Sequence, residues 1–312
     1  MTRPFFGYHM PDYTFPDVPP ERLFEHVAGL AGAAEAAGFD LVTVMDHFYQ
    51  IGGVGPEEAP MFEAYAILSA LAARTSRVAL GTMVTGVTYR NPAFLAKTVT
   101  ALDVISGGRA VLGLGAGWNE SEHIGLGYDF PPIGERLDRL EEALEICHRM
   151  FTEERPSFRG RYYRIERALD SPRPIRPGGP PVLVGGSGER RTLRIAARYA
   201  DMTNWFGDLE RLKHLKGVFE AHCAAVGRDP EAVLKTFMPP LLLARDERAG
   251  KASLERLPPE RRAAFRIVTP EGAAEALQPY LEAGFAGFIF RNAAMATADD
   301  IGLAGELIGL LR

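Results

Sequence analysis

Glu35-Ala-Ala-Gly-Phe-Asp-Leu-Val-Thr-Val-Met-Asp46 decides the fold, because the chain repeats its pattern as Leu281-Glu-Ala-Gly-Phe-Ala-Gly-Phe-Ile-Phe-Arg-Asn292. Each copy is the end of a helix, a glycine suited to the left-handed cap (Gly38, Gly284), an aromatic residue, an apolar strand and then polar residues. That is one βα junction, written twice at opposite ends of the chain.

Working outward, β-rich runs recur at Phe5–His9, Leu41–Met45, Val78–Val84, Arg109–Leu114, Val182–Gly185, Ala200–Trp205, Leu234–Ala244 and Gly287–Phe290. Helical periodicity falls between them, near Glu21–Ala37, Met61–Arg74, Pro92–Ser106, Glu135–Phe151, Glu189–Tyr199, Leu209–Val226, Pro270–Ala283 and Ala298–Leu311. About eight βα units in one chain predict an α/β (β/α)8 TIM barrel rather than an open doubly wound sheet. Two segments interrupt the repetition. One follows the fourth strand and includes a hairpin pattern around "FRGRYYRIE"; the other, charged and weakly periodic, begins near residue 241, beside the seventh strand. With no low-complexity linker, residues 1–312 read as one domain.

Composition narrows the partners. The chain has 312 residues, 46% of them hydrophobic and 24% charged, with a formal net charge of −5. It can bury a large core, and it has no global attraction for nucleic acid or an anionic membrane. Two cysteines far apart argue against a disulfide framework, and no run of about 18 apolar residues occurs. A soluble cytoplasmic protein acting on a small-molecule substrate is expected.

On a barrel, chemistry sits at the C-terminal ends of strands. Asp46 and His47 follow the second strand, where a carboxylate beside an imidazole suits acid–base work; a histidine bonding the barrel rim is the bland alternative. A metal is disfavoured, since only His9, Glu122 and His123 offer further ligands and no HExxH or cysteine cluster is present. The turn Gly185-Gly186-Ser187-Gly188 joins a strand to a helical pattern and suits a phosphate. It lacks the lysine of a Walker A loop. Gly113-Leu-Gly-Ala-Gly117 is an incomplete dinucleotide fingerprint with no clean helix after it. Its small residues could pack the barrel or let a flat ring lie against backbone.

Three stretches resemble the luciferase-like monooxygenase superfamily, and within it the coenzyme F420-dependent (deazaflavin) oxidoreductases: "VMDHFYQI", the run from "MFEAYAILSALAARTSRVALGTMV" to "GAGWNESEH", and "VLVGGSGERRTLRIAARYADMTNW". The resemblance implies a TIM barrel, usually homodimeric. It implies that Asp46 contacts the cofactor, that His47 faces substrate across the ring, and that a bulge with a non-prolyl cis peptide at Thr82-Met83 backs that ring. Gly115, Ala116 and Asn119 would complete the ring site, with the cofactor phosphate on Gly185, Gly186, Ser187 and Gly188. Arg190, Arg191 and Arg194 would tolerate the acidic tail of F420. Ala116 and Ile51 do not match the acid and the ring-wall tryptophan expected of sugar-phosphate and alcohol dehydrogenases. The expected reaction is therefore hydride transfer between F420 and an unidentified small organic substrate. An FMN-dependent monooxygenase served by a flavin reductase, or a non-catalytic flavin-binding barrel, remains the alternative.

Overall fold

The computed structural model describes residues 3–257 and 259–312. Eight parallel strands close into a barrel: β1 (Phe5–Met10), β2 (Leu41–Val44), β3 (Ala79–Thr82), β4 (Ala110–Gly115), β5 (Val182–Gly185), β6 (Met202–Trp205), β7 (Leu234–Phe237) and β8 (Gly287–Arg291). The two repeated stretches supply β2 and β8, which flank β1 on either side, with Gly7 opposite Leu41 on one edge and Ile289 on the other. Pairing of Leu80 with Ala110 and Gly81 with Val111 seals β3 to β4.

Local chemistry explains the element ends. The helix Pro92–Ser106 starts because the Asn91 side chain accepts the Ala93 amide and Pro92, at the first turn, has no N–H to lose. It stops at Gly107, whose φ of 69° is the left-handed conformation a side chain resists. Gly38 and Gly284 hold the same conformation, with φ of 94° and 88°, where the repeated stretches turn from helix into strand.

Two apolar layers result. Between sheet and helices lie Phe6, Tyr8, Leu68, Val99, Leu144 and Trp205, all fully or almost fully buried. Inside the barrel, Leu41, Val111, Leu183 and Met202 fill the lower end, with Met83 and Val84 packed on them. Burying such a side chain contributes about 1.5–3 kcal/mol. Both cysteines, Cys147 and Cys223, are free and buried.

Where the structure departs from expectation, backbone chemistry is the reason. The strand expected over Leu234–Ala244 breaks at Pro239-Pro240, which cannot donate to a ladder. Leu234–Phe237 stays in the barrel, and Leu241–Leu243 pairs with Arg266–Val268 in a separate two-stranded sheet. The weakly periodic stretch between those two strands carries helices Glu247–Glu255 and Pro259–Arg262. After β4 a seven-residue helix, Glu120–Leu126, does form. The hairpin pattern is an antiparallel pair, Phe158–Arg159 with Arg164–Ile165. The non-prolyl cis bond is Met83–Val84, one bond later than expected. Thr82 is still laddered to Val44, and the Met83 amide still donates to the Val44 carbonyl, so strand geometry persists through Met83. Among the described residues no helix is long and apolar enough to cross a membrane.

Candidate active site

A cavity of about 580 Å³ opens at the C-terminal ends of the strands. Asp46, His47, Met83, Gly115, Ala116 and Gly185–Gly188 all line it, so nine residues singled out in the sequence converge there. Thr82 and Asn119 do not reach it. Thr82 spends its buried hydroxyl on the Gly113 carbonyl and on Thr85, 3.0 Å each, and Asn119 accepts the Ser121 hydroxyl at 3.0 Å.

Asp46 and His47, adjacent in sequence, do not pair with each other. The buried Asp46 carboxylate takes both arms of the Arg90 guanidinium, Nη2 to Oδ1 at 3.0 Å and Nη1 to Oδ2. Arg90 continues to Glu63 Oε1 at 2.5 Å and lies over the Tyr65 ring, 4.9 Å from its centroid. Burial pushes the Asp46 carboxyl up, and Arg90 opposes it. Against desolvation, the Asp46 and Glu63 carboxylates hold the guanidinium well above its usual range.

His47 has a different carboxylate. Its Nδ1 lies 2.7 Å from Oε2 of the wholly buried Glu122. The amides of Phe48 and Tyr49 donate to Oε1 of the same carboxylate, the latter at 3.0 Å, and the Tyr89 hydroxyl donates to Oε2 at 2.9 Å. Burial alone would raise Glu122; hydrogen bonds from His47 and the two amides bring it down to about 2. Trp118 packs edge-on against the His47 ring at 5.5 Å. His123, the other residue weighed as a metal ligand, lies 2.7 Å from the Thr88 hydroxyl and 2.6 Å from the Asn119 carbonyl.

The small residues of "GLGAG" prove to have a packing purpose. A Cβ on Gly115 would lie 2.8 Å from Val84 Cγ2, and one on Gly185 would lie 2.7 Å from the same atom. The Val84 side chain is thus a peg seated between two glycines of neighbouring strands, and it props the bulge that walls the cavity. Gly186, with φ of 109°, is held in the left-handed region, and its amide neighbours form the turn toward the helix Thr192–Tyr199. That helix begins four residues after Gly188 rather than at once. Of the nearby arginines, Arg191 is bonded to Asp138 and Arg194 to Glu141 at 3.2 Å, so much of their charge is already met.

Part of the cavity was not read from the sequence. Arg291 and Arg261 line it with Met238, Phe206 and Asn204, beside His9. Arg291 ends β8 at the position Met45 holds in the repeated stretch, and a base closing a buried strand was a legible signal. Burial and then Arg261 lower the Arg291 guanidinium to about 10; burial and then Arg291 lower His9 to about 3, although Thr43 hydrogen-bonds it. Asn204 is 2% exposed, and neither atom of its amide has a partner among the described residues. An orphaned donor and acceptor in a cavity wall is the mark of a site completed by a ligand.

The cavity therefore combines a glycine-lined surface and a glycine turn with an imidazole, an orphan amide and the Arg291 cation. Such a cleft fits a flat, phosphorylated cofactor together with a small polar substrate. Residues 6–300 match the family described as luciferase-like monooxygenase. The chain is 30% identical, over 90% of its length and 91% of the relative's, to the F420-dependent glucose-6-phosphate dehydrogenase of Nakamurella multipartita. An F420-dependent secondary alcohol dehydrogenase holding an F420-acetone adduct shares the fold over the whole of both chains, with a TM-score of 0.80 at 22% identity. A riboflavin lyase with modified FMN superposes with a TM-score of 0.82 at 16% identity, covering all of this chain and 92% of that one.

Proposed function

The chain belongs to the luciferase-like monooxygenase family, and from that premise we propose that it is a coenzyme F420-dependent oxidoreductase acting on a small organic substrate. The observation that carries the reading is the convergence on one cavity of Met83–Val84, Gly115 and the Gly185–Gly188 turn with His47, Asn204 and Arg291. The deazaflavin, when bound, supplies a two-electron hydride acceptor or donor. Met83–Val84 and Gly115–Ala116 would bracket its ring, and the glycine turn would take its phosphate on backbone amides. Asp46, fixed by Arg90, would orient the ring edge.

His47 would accept or return the substrate's proton, since its imidazole lines the cavity with a nitrogen left over after its bond to Glu122. Arg291 favours a substrate with negative charge. The glucose-6-phosphate dehydrogenases among the relatives act, by name, on such a compound. Ile51 and Ala116 in the cavity wall favour a different member of that class. We further propose a homodimer in solution, as the family resemblance implies.

Titration of the cofactor-free protein with F420 and with FMN, followed by fluorescence, tests the reading. Saturable F420 binding with weak or no FMN binding is expected. Tight FMN binding without affinity for F420 would overturn it in favour of a monooxygenase working with a flavin reductase.

A further inference from the structure

We propose that Glu122 is a positioning residue that fixes the tautomer of His47, so that the imidazole meets its substrate with a protonated Nδ1 and a bare, proton-accepting Nε2. The proposal rests on the reading of the cavity as a hydride-transfer site, and it deepens that reading by saying in which form the base waits.

The geometry leaves little freedom. A carboxylate has about four lone-pair positions and, when ionised, no proton to offer. Glu122 is wholly buried, and four groups converge on it: the Phe48 and Tyr49 amides on Oε1, the Tyr89 hydroxyl and His47 Nδ1 on Oε2. The two amides can only donate, so Oε1 is committed. The amides on Oε1 and the hydroxyl on Oε2 favour the ionised carboxylate, and Glu122, held down to about 2, keeps that form. An ionised Glu122 can only accept, so Nδ1 must carry the hydrogen, and in the neutral ring Nε2 is then the bare nitrogen. Asp46 cannot compete for this task, because Arg90 occupies both its oxygens.

The consequence for the reaction is directional. In substrate oxidation Nε2 would take the hydroxyl proton, and the deazaflavin, when bound, would supply the two-electron acceptor for the hydride of the carbinol carbon as the carbon–oxygen bond becomes a carbonyl. His47 ends as an imidazolium against the Glu122 carboxylate, which stabilises it. The reverse reaction returns the same proton. With the other tautomer, Nε2–H would point at the hydroxyl and could not take its proton.

Glu122→Gln separates this from a merely structural role. The glutamine oxygen still receives the Phe48 and Tyr49 amides, but its NH2 now faces Nδ1, which must become the acceptor and send the proton to Nε2. Nitrogen-15 NMR of labelled histidine is expected to show protonated Nδ1 and bare Nε2 for His47 in the native protein, and the inverse in Glu122→Gln. Turnover with F420 should fall about 10²–10⁴-fold, the usual contribution of a general base, with the F420 dissociation constant unchanged. A native spectrum with Nε2 protonated would overturn the proposal whether or not the variant folds. So would a folded variant with unaltered tautomer and turnover, which would make Glu122 an anchor for Phe48–Tyr49 only. The native spectrum needs no cofactor or substrate, so a failed F420 titration would leave this test standing and the two failures are distinguishable.

Discussion

The mouths of β2 and β8 begin from the same sequence pattern and end in opposite electrostatic states. At β2 every charged group has a partner inside the protein: Asp46 with Arg90, Arg90 with Glu63, His47 with Glu122. At β8, Asn292 gives its amide hydrogen to the Asp12 carbonyl at 2.6 Å while its oxygen has no partner, and Arg291 lies over the Phe265 ring at 4.9 Å with no carboxylate on it among the described residues. A network complete before any ligand arrives holds groups still; an uncompensated one is arranged for a ligand. We read the β2 mouth as the part that performs the reaction and the β8 mouth as the part that recognises what is brought to it.

The largest effect that would sharpen this comparison belongs to His47→Ala. Turnover should drop about 10²–10⁴-fold while F420 binding, measured by fluorescence titration, is retained; an unchanged rate would make the β2 mouth structural. Next comes the contrast between two arginines. Arg90→Met strands a buried carboxylate and should cost about 3–5 kcal/mol in urea unfolding, weakening F420 binding as Asp46 loses its orientation. Arg291→Met strands nothing. It should leave stability within about 0.5 kcal/mol yet raise KM for an anionic substrate about tenfold, near 1.4 kcal/mol. Equal destabilisation by both would erase the distinction between the mouths.

Smaller effects should come from Asn204 and from pH. Asn204→Leu removes an unpartnered amide, so thermal stability should hold or rise while affinity for F420 or substrate declines; separate measurement of the F420 dissociation constant and of KM tells which ligand the amide serves. Two buried groups contribute to the pH dependence in separate ranges. His9 is lowered from 6.5 to about 3, so the unfolded chain takes its proton first and stability falls as pH drops from 6.5 toward 3. Glu122, lowered from 4.5 to about 2, contributes stability above 4.5 that is lost as pH falls toward 2. In urea unfolding as a function of pH, His9→Gln should flatten the upper part of this decline and leave the lower part in place. A profile identical to that of the native protein would show that His9 is not desolvated.

The barrel was legible because its signals are local. Helix Pro92–Ser106 is announced by Asn91-Pro92 at one end and Gly107 at the other, and the repeated stretch names its own neighbours in the sheet. The site was legible as a set of positions and poorly legible as a set of partnerships. Asp46 and His47 suggested an acid–base pair by adjacency, but the chain leaves its strand there, and their partners come from 44 and 75 residues away. Glu122 entered the sequence reading only as a possible metal ligand, and nothing in "NESEH" marks it as the partner of His47, because that depends on where a short helix turns its side chain. The glycines of "GLGAG" were ambiguous for the same reason, since the residue that requires them, Val84, belongs to another strand.

That valine joins three positions into one unit of inheritance. Val84, Gly115 and Gly185 come from β3's bulge, β4 and β5, yet they occupy one small volume, with the added Cβ at either glycine already within 2.8 Å of Val84 Cγ2. A lineage cannot enlarge either glycine while keeping the valine, and shrinking the valine would open a hole that either glycine could then fill. Change at these sites should therefore be correlated across descendants, with total volume conserved and its distribution free to drift. Glycines that resemble a ligand-binding signature would then persist in such a family for as long as the valine does, even through a change of ligand.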